Sequence, residues 1–141
     1  MLRRVSVIAG FVILFTGSAF AATERFHATL TAASEVPPTK STGSGEATVT
    51  LDTATHEITW DVTFNGFTSD VTAAHIHGPA EPGKNAGVIV PFGSAPKSPL
   101  HGTAKLTTEQ QEQMTSGLYY VNVHSKNFPS GAVRGQLTLV K

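Results

Sequence analysis

Apolar and polar residues alternate in several short runs. Phe26, Ala28 and Leu30 alternate with Arg25, His27 and Thr29, which predicts a half-buried strand. Ala47, Val49 and Leu51 do the same against Glu46, Thr48 and Thr50. The cleanest run sets Ile58, Trp60, Val62 and Phe64 against Glu57, Thr59, Asp61 and Thr63. Asp52 to Thr55 reads as the hairpin turn between those two, and Asn65-Gly66 ends the second. Glu35-Val36-Pro37-Pro38 breaks the first strand, and Ser41 to Gly45 is a Gly/Ser turn. Val71 to His77 is a shorter strand candidate, and Gly87 to Val90 a brief one. Pro79 to Gly87 and Phe92 to Pro99 read as loops, with Pro91, Pro96 and Pro99 excluding helix. One helix is predicted over Thr107 to Thr115, with Thr107 and Gln110 as a capping box and Gly117 as its stop. Leu118 to His124 and Val133 to Val140 are the last two strands. Seven to eight short strands, one short helix and no internal repeat predict an all-β antiparallel sandwich or barrel.

The first 21 residues follow a different pattern. Met1-Leu2-Arg3-Arg4 is a short positive segment, Val5 to Phe15 an apolar one, and Ala19-Phe20-Ala21 a small-x-small cleavage site. This predicts a signal peptide over residues 1–21, cleaved after Ala21. The apolar run is too short to span a bilayer comfortably. Residues 22–141 are then a single domain, periplasmic or secreted, with no stable membrane association after cleavage. The chain is electrically balanced, with ten Lys and Arg against ten Asp and Glu. Removing Arg3 and Arg4 leaves eight basic residues and a net charge of −2. No basic patch is available to hold nucleic acid. Cysteine is absent, which excludes disulfides, thiolate metal sites and cysteine nucleophiles.

The chemistry concentrates in histidine. Six are present: His27, His56, His75, His77, His101 and His124. Side chains two apart on a strand share a face, so His75 and His77 would sit together, with Ile76 on the other side. In Leu118 to His124, Tyr119, Val121 and Val123 form the apolar face, which leaves Asn122 and His124 opposite. If the two strands are neighbours, three imidazoles converge on the outer surface of a sheet. Three nitrogen donors with an open position suit Cu²⁺ or Zn²⁺, and copper heads the divalent affinity order. His27 and His101 are open as a fourth ligand, although a solvated or structural role is the simpler reading for them and for His56. Arg134 shares the outward register of its strand and could guide an anion. Asn122 could hold a ligand in place. No Gly-x-Ser-x-Gly elbow, phosphate loop or paired carboxylates mark a catalytic centre, so no catalytic residue is assigned.

Longer stretches carry a family resemblance. They are Leu30 to Pro38, Ala74-His75-Ile76-His77-Gly78-Pro79-Ala80, Leu106-Thr107, Gly117 to Ser125, and Pro129 to Leu137. In these the chain resembles the CHRD domain family, named after the repeated domain in chordin. Ala132 stands where the family usually has an acidic residue. The resemblance implies an extracellular module, and in chordin the domains belong to a growth-factor regulator. The order His-x-His, strand histidine, then Gly-x-x-Arg-type segment is also similar to copper/zinc superoxide dismutase, a Greek-key β-sandwich with copper on its outer face. There His75 and His77 match the strand pair, His124 the later copper histidine and Arg134 the arginine that guides superoxide. The bridging histidine, the zinc cluster and the disulfide have no counterpart.

The expectation is therefore an exported Greek-key β-sandwich. It would bind a transition metal, copper before zinc, through His75, His77 and His124, for metal handling in the periplasm. Two alternatives stay open: a superoxide dismutase-like redox enzyme, and a metal-free interaction module whose protein partner the sequence does not name.

Overall fold

Strict alternation over Glu57–Asn65 forces every second side chain to one side, and Ile58, Trp60, Val62 and Phe64 are all buried there. The same rule organises the whole chain. The computed structural model describes residues 22–141; the signal peptide expected over residues 1–21 lies outside them. The strands are β1 (Thr23–Leu30), β2 (Ser44–Asp52), β3 (Glu57–Asn65), β4 (Val71–His77) and β5 (Val88–Ser94). They continue with β6 (Leu100–Lys105), β7 (Tyr120–Ser125), β8 (Phe128–Gln136) and β9 (Thr138–Leu139). A 3₁₀ turn, Ala32–Ser34, follows β1, and one helix, α1 (Thr108–Thr115), precedes β7.

Two antiparallel sheets form, with strand orders β6-β3-β2-β1-β9 and β5-β4-β7-β8. The fold is the expected all-β sandwich with one short helix. Phe26, Leu30, Val49, Leu51, Trp60 and Val62 from the first sheet face Ile76, Val90, Phe92, Val121, Val123 and Val133 from the second. Apolar burial on facing sheets is the main stabilising term of such a core. One backbone bridge joins the sheets: Thr31 and Arg134 exchange N–H···O bonds of 3.0 and 3.1 Å.

The helix starts as its sequence requires. The Thr107 side chain accepts from the Gln110 N–H, and Gln110 returns a bond to the Thr107 N–H at 2.9 Å. Gly117 then ends it at φ 76°.

Three strand expectations need correction. Leu100–Lys105, which the pattern left unassigned, is a strand, and His101 lies in it. Its inward position is vacated for a neighbour. Gly102 pairs with Trp60, and a Cβ on Gly102 would stand 2.2 Å from Trp60 Cζ2. The indole of β3 fills the space that an apolar residue of β6 would occupy, so the hydrophobic period is lost. β5 runs on through Pro91 to Ser94, which an edge strand tolerates because it has a free side. The expected strand over Val133 to Val140 is two strands. β8 starts at Phe128 in one sheet, and β9 pairs with β1 in the other.

Candidate metal centre

β4 and β7 are neighbours, in the register that brings the histidines together. His75 pairs with Asn122, His77 with Tyr120 and Ala73 with His124. Ala74, Ile76, Val121 and Val123 take the inner face. That leaves His75, His77, Tyr120, Asn122 and His124 on the outer one. His75, His77 and His124 each offer a ring nitrogen, and these atoms lie within 4.8 Å of one another. It is the one such group of three among the described residues.

Hydrogen bonds fix which nitrogens are free. His77 Nδ1 is 3.0 Å from the Ala86 carbonyl, and His124 Nδ1 is 2.9 Å from the Pro129 carbonyl. A carbonyl only accepts, so both Nδ1 atoms carry the proton. In that tautomer Nε2 is the acceptor of each ring; His124 uses it on His75, and His77 leaves it unpaired. His124 Nε2 meets His75 Nδ1 at 3.1 Å, close to the roughly 3.3 Å expected between two nitrogens bound to one ion at about 2.0 Å. His77 Nε2 is buried with no hydrogen-bond partner. A backbone carbonyl on the far nitrogen is the usual way to orient a metal-binding imidazole.

The electrostatics favour neutral rings. Burial, aided by the neighbouring His124 and His77, pushes the His75 imidazole down to about 4. Burial also lowers His77, against the opposing pull of its bond to Ala86. At neutral pH these two rings are uncharged, the form a metal requires.

Beside the histidines the outer face is roofed by two loops, residues 31–43 and 78–87. Tyr120 is the central post. His77 stacks on its ring at 5.0 Å and 3°, and the Arg134 guanidinium lies 3.4 Å from its centroid. Strand order β4-β7-β8 sets the two on opposite sides of the ring. The Tyr120 hydroxyl donates to Ala86 O at 3.2 Å and accepts from Ala86 N at 3.1 Å. The same carbonyl therefore anchors both His77 and Tyr120.

Arg134 was expected on the outer face, and it is there, but only 2% exposed. It donates to Asn85 Oδ1 at 3.0 Å and to the Lys84 carbonyl at 2.6 Å. Its charge is spent on holding the 78–87 loop over Tyr120. Asn122 is also buried, and its amide nitrogen donates to the Glu35 carboxylate and, weakly, to the Val133 carbonyl. Burial raises Glu35 to about 7, against the lowering influence of Arg134 and Asn122. Glu35, His77, Tyr120 and Asn122 share the wall of a cavity of about 210 Å³.

The remaining histidines are elsewhere. His27, on β1, meets Glu46 at 2.7 Å, and His101, on β6, meets Asp61 at 3.3 Å. Both belong to the first sheet, so neither supplies the fourth ligand left open above. His56 sits at φ 60° in the turn before β3, with Nδ1 2.8 Å from Gln111 Oε1.

Glu35 and Tyr120 were not singled out from the sequence. Tyr120 carried a signal, since it shares the parity of Asn122 and His124. Glu35 lies in a stretch read only as a strand break and a family mark, and the fold alone sets it beside Asn122.

A family model described as the CHRD domain matches residues 26–137. The chain belongs to the CHRD domain family. The match spans both sheets and includes all three clustered histidines. A CHRD domain fits a module that works outside the cytoplasm. Among the described residues no helix is long and apolar enough to cross a membrane. No curated protein and no solved structure matches the chain.

Proposed function

We propose that this CHRD domain is an exported metal-binding module that holds one transition-metal ion, copper before zinc, on His75, His77 and His124. The buried, unpartnered Nε2 of His77 carries the reading. A buried lone pair without a partner costs free energy, and an ion shared with His75 and His124 would satisfy it. The donor set supports the choice of metal. All three donors are imidazoles and no thiolate is present in the chain; imidazole suits both ions, and Cu²⁺ binds such donors more tightly than Zn²⁺. The expected role is binding and handing on metal in the periplasm or outside the cell.

The test is a Cu²⁺ titration of residues 22–141 and of His77→Ala, each with far-UV circular dichroism to check the fold. The proposal expects one ion per chain for the parent and at least tenfold weaker binding for a folded His77→Ala. Equal affinity in the two proteins would overturn it.

A further inference from the structure

Three histidines leave room for a fourth donor, and one side chain neighbours all of them. Asn122 lies directly across from His75, two residues from His124 on the same strand face, and diagonal to His77, whose partner is Tyr120. Directly opposed and diagonal side chains of a sheet are within reach of each other. Asn122 is 3% exposed, and its Oδ1 is buried with no hydrogen-bond partner.

The orientation of the amide is fixed by its other end. Nδ2 donates to the Glu35 carboxylate and toward the Val133 carbonyl at 3.4 Å. Turning the amide over would set Oδ1 against the Val133 carbonyl, which only accepts, and give up the bond from Nδ2 to Glu35. The nitrogen is therefore held on the side of β8 and the 31–43 loop. The space around that end is tightly committed. Gly131, at φ +135°, has no Cβ, and one placed there would stand 2.6 Å from Glu35 Oε1 and 2.7 Å from Asn122 Nδ2. Oδ1 is the end left over, and β4 with its two histidines is the strand on the opposite side of β7 from β8.

Resting on the metal-binding reading above, we infer that Asn122 Oδ1 is a fourth, oxygen donor to the ion, and that Glu35 is the residue that aims it. Two orphaned buried acceptors, His77 Nε2 and Asn122 Oδ1, then share one explanation. Three nitrogens and one neutral oxygen make a four-coordinate set within the range of both Cu²⁺ and Zn²⁺. The Glu35 carboxylate bonds the Asn122 amide nitrogen; it is a positioning residue that acts through that nitrogen.

The test uses Cu²⁺ alone as probe, with residues 22–141 and the variants Asn122→Leu, Glu35→Leu and Glu35→Gln. Electron paramagnetic resonance of the one-copper form reads the donor set, and competition with a chelator reads affinity. Asn122→Leu should change the copper g and hyperfine values and weaken binding about ten- to hundredfold. Glu35→Leu should reproduce both changes, and Glu35→Gln, whose amide oxygen can still accept from Asn122 Nδ2, should restore the parent spectrum. Where Asn122→Leu does not fold, Asn122→Ala replaces it and should give the same spectral change and loss of affinity. A parent that binds one copper, with spectrum and affinity unchanged in Asn122→Leu or in Asn122→Ala, overturns the inference and leaves the three-histidine reading standing. A parent that binds no copper overturns the reading itself.

Discussion

Replacing Glu35 by Gln in the metal-free protein should make stability at alkaline pH rise relative to the parent. Glu35 is 6% exposed, and burial raises its carboxyl from 4.5 to about 7. The folded state then holds a proton that the unfolded chain has already lost. The sign follows from linkage. A raised folded pKa contributes stability below the unfolded value, and that contribution is lost as pH rises through the folded one. A shift of this size corresponds to about 3 kcal/mol. Glutamine keeps an acceptor for Asn122 Nδ2 but never ionises. The stability gap between Glu35→Gln and the parent should therefore widen by about 3 kcal/mol between pH 4.5 and pH 8, and level off above pH 7. His75 works in the opposite sense, since its folded value is depressed to about 4. Its stabilising contribution is present above about 6.5 and lost as pH falls toward 4, but equally in both proteins, so it cancels in the difference. Guanidinium unfolding of residues 22–141 in the presence of EDTA, at half-unit steps of pH, measures the gap. A gap that stays constant from pH 4.5 to 8 would refute the burial of an ionisable carboxyl at this position.

Other consequences are checked more simply. In the metal-free protein the His75 ring should titrate near pH 4 by NMR, well below an ordinary imidazole, because it is buried beside two other histidines. Titration near 6.5 would mean that the three rings do not cluster. Tyr120→Phe removes the hydroxyl that bonds twice to Ala86. It should cost about 1 kcal/mol in denaturant unfolding and weaken metal binding through the His77 contact that shares that carbonyl; no change in either would contradict the role of Tyr120 as a post. Gly102→Ala drives a methyl into Trp60, and a loss of about 1–3 kcal/mol with a changed indole fluorescence is expected. A neutral Gly102→Ala would argue against the β3–β6 register.

The sequence exposed most of what repeats and little of what is folded over. β1, β2 and β3 were legible because half-buried strands keep a two-residue period, and β4 and β7 because the same parity set their histidines outward. β6 was hidden because Trp60 occupies the place of its inward side chain at Gly102. The division of β8 from β9 was hidden because both keep apolar residues while the chain changes sheets at Leu137. The three histidines could be read as a candidate cluster, since their faces follow from spacing and only their adjacency had to come from the fold. Arg134 could be assigned to the outer face but not to burial, because the cover comes from Lys84 and Asn85, about fifty positions away. Glu35 was invisible for the same reason: it meets Asn122 across 87 positions of chain. Spacing reports the local period of a strand, and it carries no information about which loop closes over it.

The most direct measurement is bound metal per chain. Residues 22–141 without a histidine tag would be loaded with a mixture of Cu²⁺ and Zn²⁺, dialysed and analysed beside the His75→Ala/His77→Ala double variant. About one copper per chain in the parent, absent from a folded double variant, is the expected result. No retained metal in the parent, or equal retention in both proteins, would contradict a metal centre on His75, His77 and His124.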